Sequence, residues 1–225
     1  HITANKYMTD IMLRSYKLDG LYNGTIIEEG QPRIDLGYIK RSYVIEKLRS
    51  FGIEIEHDKK IVLYAPTWGG TLSNPNCIDV SFLDKVIDKS KYQILYKLHH
   101  VNYRKDRRFI PPAMDTNELL SICDVIVTDY SSIAFDALTY NKCVIYYLPD
   151  NEKYMSEHGL YFEPQNNVAY NVETLKVMLN HTDSLSVKHY DQPICSDKII
   201  SILFDGADGK RIYANKNKIK LLFYI

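Results

Sequence analysis

Ile122-Cys123-Asp124-Val125-Ile126-Val127-Thr128-Asp129-Tyr130-Ser131-Ser132-Ile133-Ala134-Phe135-Asp136-Ala137-Leu138-Thr139-Tyr140 reads as a strand that ends at a polar loop and turns directly into a helix. Val125–Val127 shows no polar alternation, the pattern of a strand covered on both faces in a parallel sheet. Asp129 stops the apolar run and two serines open the helix. A helix N-terminus carries backbone N–H groups without intrahelical partners, and adjacent hydroxyls beside them suit an anion, above all a phosphate. Ser and Asp are equally the residues that cap helices for stability alone. The stretch by itself leaves the two readings level.

Working outward, apolar β-branched runs recur at Ile61–Ala65, Gln93–Leu98 and Cys143–Tyr147, with helical spacing between them at Leu83–Ile87 and Ala134–Leu138. Strands that alternate with helices predict an α/β fold, a Rossmann-like doubly wound parallel sheet. Val44, Leu48 and Phe51 predict a helix within Tyr38–Phe51, and Asn171–Leu179 and Ile194–Leu203 have the spacing of amphipathic helices that pack on the sheet. Residues 1–37 read as a connector, 38–205 as the Rossmann-like domain and 206–225 as a C-terminal tail. In the tail Lys210, Arg211, Lys216, Lys218 and Lys220 precede five apolar residues, a pattern open to a final strand, a frayed end or contact with a membrane surface.

The 225 residues are 45% hydrophobic and 25% charged, enough for a sizeable core. Twenty-eight basic residues balance twenty-eight acidic ones, so no whole-molecule field draws the protein to nucleic acid, and phosphate recognition must be local. Cys77, Cys123, Cys143 and Cys195 lie far apart without a CxxC pair, which indicates neither a zinc site nor a disulfide framework. No run approaches the roughly 18 apolar residues of a membrane span, and no signal-peptide pattern opens the chain, so the expected location is cytoplasmic. The start at His1 instead of Met suggests a piece of a longer protein.

In a doubly wound sheet the ligand lies beyond the carboxyl ends of the strands, so the residues just after each run are the ones that converge. After the first run come Ala65-Pro66-Thr67-Trp68-Gly69-Gly70, either a ligand loop or an ordinary turn with a packed Trp. After the second, Lys97-Leu98-His99-His100 offers a cation and two imidazoles to a diphosphate; a structural and a solvated His would look the same. Asp129, Tyr130, Ser131 and Ser132 follow the third. The fourth leads into Leu148-Pro149-Asp150-Asn151-Glu152-Lys153-Tyr154, then His158-Gly159-Leu160-Tyr161-Phe162, where carboxylates can accept polyol hydroxyls or simply cap a helix.

Together these loops resemble one family. Leu63-Tyr64-Ala65-Pro66-Thr67-Trp68, Lys97-x-His99, Thr128-Asp129-Tyr130-Ser131-Ser132 with Phe135-Asp136, Tyr147-x-x-Asp150-x-x-x-Tyr154 and Gly159-x-Tyr161-Phe162 resemble the CDP-glycerol glycerophosphotransferases that build teichoic acid and related capsule polymers. Gly30-Gln31-Pro32-Arg33-Ile34-Asp35 is similar to that family's Gly-x-Pro-Arg-x-Asp.

The resemblance implies a GT-B glycosyltransferase-type fold, of which this chain supplies the C-terminal, donor-binding half, with residues 1–37 leading in from an N-terminal domain. It implies transfer of glycerol phosphate, or a related polyol phosphate such as ribitol phosphate, from a CDP-activated donor to a hydroxyl of a polymer or lipid-linked acceptor, with release of CMP, at the inner face of the plasma membrane. Carried over by residue, His99 contacts the donor pyrophosphate, Ser131 and Ser132 hold it, Thr67 and Asp129 border it, Arg33 organises the cleft, and Asp150 with Tyr154 meets donor hydroxyls. The resemblance assigns the general base to the N-terminal domain, so this stretch alone is expected to bind donor and to turn it over poorly or not at all; no metal or other cofactor is implied. Gly69, His100 and His158 stand where the family usually has Arg, Pro and Arg, which thins the phosphate clamp. The residues also fit a nucleotide-sugar GT-B glycosyltransferase, an epimerase, or a non-catalytic nucleotide-binding domain.

Overall fold

Unbroken apolar character buries a strand on both faces, and the four runs become four neighbouring strands of one sheet. The computed structural model describes residues 1–18, 21–67, 79–99, 108–157, 162–164, 166–189, 192–209 and 211–213. In chain order the elements are β1 (Ile2–Thr3), α1 (Lys6–Ser15), β2 (Thr25–Glu28), a 3₁₀ segment (Pro32–Tyr38), α2 (Arg41–Ser50), β3 (Lys60–Tyr64), α3 (Ser81–Val86), β4 (Tyr92–Tyr96), α4 (Thr116–Leu120), β5 (Val125–Thr128), α5 (Ile133–Thr139), β6 (Cys143–Tyr147), α6 (Asn151–Glu157), β7 (Val168–Ala169), α7 (Val172–Asn180), a short 3₁₀ turn (Thr182–Ser184), α8 (Ser196–Phe204) and β8 (Arg211–Tyr213). They divide into two units, one from His1–Leu36 with Asp191–Ile225, the other Gly37–Tyr190.

The larger unit is built on a five-stranded sheet of order β4-β3-β5-β6-β7. Every neighbouring pair is parallel, with Leu63 opposite both Leu95 and Ile126, Ile126 opposite Val144 and Tyr146 opposite Val168. Successive side chains of a strand point to opposite faces. Ile61, Leu63, Ile126 and Val144 therefore meet Val44 and Leu48 of α2, Leu119 and Leu120 of α4, and Ala134 and Ala137 of α5. Val62, Tyr64, Val125, Val127 and Ile145 meet Leu83 and Val86 of α3 and Leu175 and Leu179 of α7 on the other face. Helices on both faces make the sheet doubly wound, as the sequence predicts.

Local chemistry sets the helix ends. Asp115 and Glu118 form a reciprocal capping box at α4, and Asn171 accepts from Thr174 N–H at the start of α7. Lys47 of α2 donates to both oxygens of Glu118, at 2.8 and 2.7 Å, and ties α2 to α4 on one face of the sheet.

In the smaller unit β1 and β2 are parallel neighbours joined by α1, and β8 adds antiparallel to β2. Residues 2–28, in which the sequence marks no element, thus hold two strands and a helix; strands of two and four residues are too short to show a period. The helix expected at Ile194–Leu203 forms as α8, but Ile199 and Ile202 pack with Ile27 of β2, which corrects the expectation that it lies on the large sheet. Part of the tail is strand β8; residues 214–225 lie outside the described residues. No helix among the described residues is long and apolar enough to cross a membrane.

Candidate functional site

The chain runs from β3 outward to β4, returns across β3 to β5 and continues to β6 and β7, so the strand order reverses between β3 and β5. Ligands of open parallel sheets bind at such a reversal, beyond the carboxyl ends. The loop after β3 and the loop after β5 meet there through side chains. Thr67 N–H donates to both oxygens of Asp129, at 2.7 and 2.9 Å, and Thr67 Oγ1–H donates to Oδ1 at 2.6 Å. Thr128, fully buried, donates its hydroxyl to the Ala65 carbonyl at 2.6 Å. Burial pushes the Asp129 carboxyl above the usual carboxylate range, against the pull of the Thr67 hydrogen bonds. Both donors of Thr67 are therefore taken up by Asp129.

At the end of β4, Lys97 turns its ammonium inward, donating to the carbonyls of Pro111 at 3.2 Å and Met114 at 2.7 Å. Burial lowers its pKa, countered by Asp115 and Glu118. The cation expected to meet a diphosphate thus braces the 111–114 loop. His99, half-buried, follows at the same carboxyl edge. β4 and β5 flank β3, so their ends stand two strand spacings apart, roughly 10 Å.

The two serines do little for the helix they open. Ser132 is the N-cap residue of α5, already in αR geometry (φ −63°, ψ −12°), with no side-chain capping bond. Ser131 Oγ accepts from Ile133 N–H only at 3.5 Å. Helix capping, the plain explanation for this pair, accounts for at most one long contact, and Ser132 is exposed.

After β6, Asp150 and Tyr154 sit one turn apart, with Tyr154 N–H donating to Asp150 O at 2.9 Å. Tyr130, between Asp129 and Ser131, donates its hydroxyl to Asp150 Oδ1 at 2.9 Å and stacks on Tyr154 with ring centroids 3.5 Å apart and an interplanar angle of 6°. The sequence sets Tyr130 beside Asp129 and the two serines without giving it a role; its contacts with Asp150 and Tyr154 arise only when the ends of β5 and β6 lie side by side. Phe135 of α5 meets Phe162 edge-on at 4.5 Å, joining two further motif segments. Trp68, Gly69, Gly70, His100, His158, Gly159 and Tyr161 lie outside the described residues.

Arg33 is carried by the smaller unit, exposed on the 3₁₀ segment. Its neighbours in the motif have structural work. Ile34 is fully buried, and the Asp35 carboxylate accepts from the N–H groups of Cys195 at 3.2 Å and Ser196 at 2.9 Å, capping α8 from 160 residues away. Gly30 has φ +111°, and a Cβ there would lie 2.9 Å from Cys195 Sγ.

Comparison with known proteins adds an independent line. The family model described as CDP-Glycerol:Poly(glycerophosphate) glycerophosphotransferase matches residues 1–214. The teichoic acid poly(glycerol phosphate) polymerase of Bacillus spizizenii is 30% identical over 179 residues, which are 72% of this chain and 44% of that protein. The teichoic acid glycerol-phosphate transferase of Staphylococcus aureus is 30% identical over 182 residues, with the same shares. Among solved structures, the wall teichoic acid polymerase TagF superposes with a TM-score of 0.63 at 26% identity, over 82% of this chain and 48% of that one. This chain spans less than half the length of these relatives.

Proposed function

Because the chain belongs to the CDP-glycerol:poly(glycerophosphate) glycerophosphotransferase family, we propose that it binds the donor for a transferase that moves glycerol phosphate, or a related polyol phosphate, from a CDP-activated donor to a hydroxyl of a growing cell-envelope polymer. The observation that carries this reading is that the residues on which the family resemblance rests follow four parallel strands at one carboxyl edge of the sheet, Thr67 after β3, His99 after β4, Asp129–Ser132 after β5 and Asp150 after β6.

In this reaction an acceptor hydroxyl gives its proton to a general base supplied from outside this stretch, its oxygen attacks the outer phosphorus, the bond from that phosphorus to the bridging oxygen breaks, and CMP leaves with the electron pair. Charge builds on the departing phosphate, and electrostatic stabilisation is the main service the protein supplies. His99 and the hydroxyls of Ser131 and Ser132 donate to the pyrophosphate oxygens. Asp129 and Thr67, joined to each other, form the wall of the crevice. Asp150 accepts hydroxyls of the polyol. The acceptor is a polymer or lipid-linked hydroxyl, and the full-length protein works at the inner face of the plasma membrane.

The test is a thermal-shift panel with CMP, CDP, UMP and UDP. Cytidine nucleotides are expected to raise the melting temperature, and His99→Ala to abolish the rise. A preference for uridine nucleotides would overturn the donor assignment in favour of a nucleotide-sugar enzyme, and a folded protein that responds to none would overturn nucleotide binding altogether.

A further inference from the structure

We propose that Tyr130 is a positioning residue, which holds the Asp150 carboxylate in the orientation that receives the hydroxyls of the donor's polyol. The inference rests on the donor reading above and assigns the part of the donor that this corner of the rim recognises.

Asp150 is exposed, and an ionised carboxylate has room for about four hydrogen bonds. The Tyr130 hydroxyl takes Oδ1 at 2.9 Å, and among the described residues Oδ2 receives no hydrogen bond. An exposed Asp side chain samples several rotamers; a phenol fixed at one oxygen selects one of them and presents the other oxygen outward. A vicinal diol supplies the complementary donors.

The phenol is itself fixed. Its ring lies flat on Tyr154, 6° from parallel, and Tyr154 stands one helical turn beyond Asp150. α6 buries none of its residues, so packing into the core does not set its angle. The stacked pair and the Tyr130–Asp150 hydrogen bond grip the start of α6 from the loop that also carries Ser131 and Ser132. Tyr130 thereby joins the phosphate-facing hydroxyls to the polyol-facing carboxylate. Burial, and then the hydrogen bond to Asp150, push the phenol up, so it stays protonated and donates throughout the neutral range.

A ligand with a polyol must be set against one without it. Titration calorimetry on the wild-type chain and Tyr130→Phe, with CDP-glycerol and with CDP, makes that comparison. The Phe ring preserves the stack and removes only the hydroxyl. Affinity for CDP-glycerol is expected to fall about tenfold, while affinity for CDP stays within about twofold. Tyr154→Ala, which removes the stack, is expected to give the same selective loss. In an Asp150→Ala background, Tyr130→Phe should cause no further loss for CDP-glycerol, because the phenol acts through that carboxylate. Equal losses for the two ligands, no loss for either, or additive losses in the double variant would overturn the positioning role while leaving donor binding intact. A wild-type chain that binds neither ligand would overturn the donor reading itself.

Discussion

Asp129 takes both hydrogen-bond donors of Thr67, backbone and hydroxyl, within 2.9 Å across the seam where β3 and β5 meet and the strand order reverses. With the Thr128 hydroxyl on the Ala65 carbonyl, it carries the pairing of the two strands past their last backbone hydrogen bond. A carboxylate held this way ties the loop after β3 to the loop after β5.

Thr67→Val removes the hydroxyl donor while keeping shape and the backbone N–H. Hydrogen bonds to charged groups contribute about 1.5–3 kcal/mol, so urea unfolding at pH 7 should show a loss of about 2 kcal/mol. Asp129 adds a pH signature. Its folded pKa is raised by burial, so the folded state holds the proton more tightly than the unfolded chain does. The associated stability is fully present below the unfolded value of about 3.9 and is withdrawn as pH rises through the raised folded value. Asp129→Asn should flatten that part of the stability profile; an unchanged profile would refute the burial argument.

Ser131 and Ser132 contribute little to capping α5, so replacing both with Ala should change stability by no more than about 0.5 kcal/mol. The same double variant should lose the thermal protection conferred by CMP. A large drop in melting temperature without ligand would return the pair to a structural role.

Much of the fold was legible because Ile61–Tyr64 and Val125–Val127 are apolar without alternation, and only a sheet covered on both faces buries such runs. The family was legible in the same loops through their order and spacing, and the match over residues 1–214 agrees. What stayed hidden depends on partners distant in sequence. A lysine two residues before a histidine reads as a phosphate ligand until the carbonyls of Pro111 and Met114 come within reach. Tyr130 has no assignable role in the sequence until Tyr154 lies over it, and β7, two residues long, has no pattern to detect.

Lys97→Met keeps the aliphatic stem and removes the ammonium that braces two part-buried carbonyls, a change expected to lower stability by about 2 kcal/mol at pH 7. The folded pKa of Lys97 is lowered by burial, so the unfolded chain binds this proton more tightly. The wild type should therefore gain stability relative to Lys97→Met as pH rises from that lowered value toward about 10.4, readable in denaturant melts across the alkaline range. A constant difference would show that the ammonium is not desolvated.

The Asp35 cap and Gly30 test the smaller unit. α8 begins at Cys195 without a side-chain cap of its own, and Asp35 supplies the acceptor for two N–H groups. Asp35→Ala should cost about 1 kcal/mol, the usual value of a helix cap, and Asp35→Asn less, since the amide oxygen still accepts. Gly30→Ala should cost more than Asp35→Ala, because the residue must hold φ +111° while its new methyl meets Cys195 Sγ at 2.9 Å. Cys195→Ala in the Gly30→Ala background removes the sulfur but leaves the backbone strain, so it should recover only part of the loss. Full recovery would mean that the contact alone, and not the left-handed conformation, demands glycine at that position.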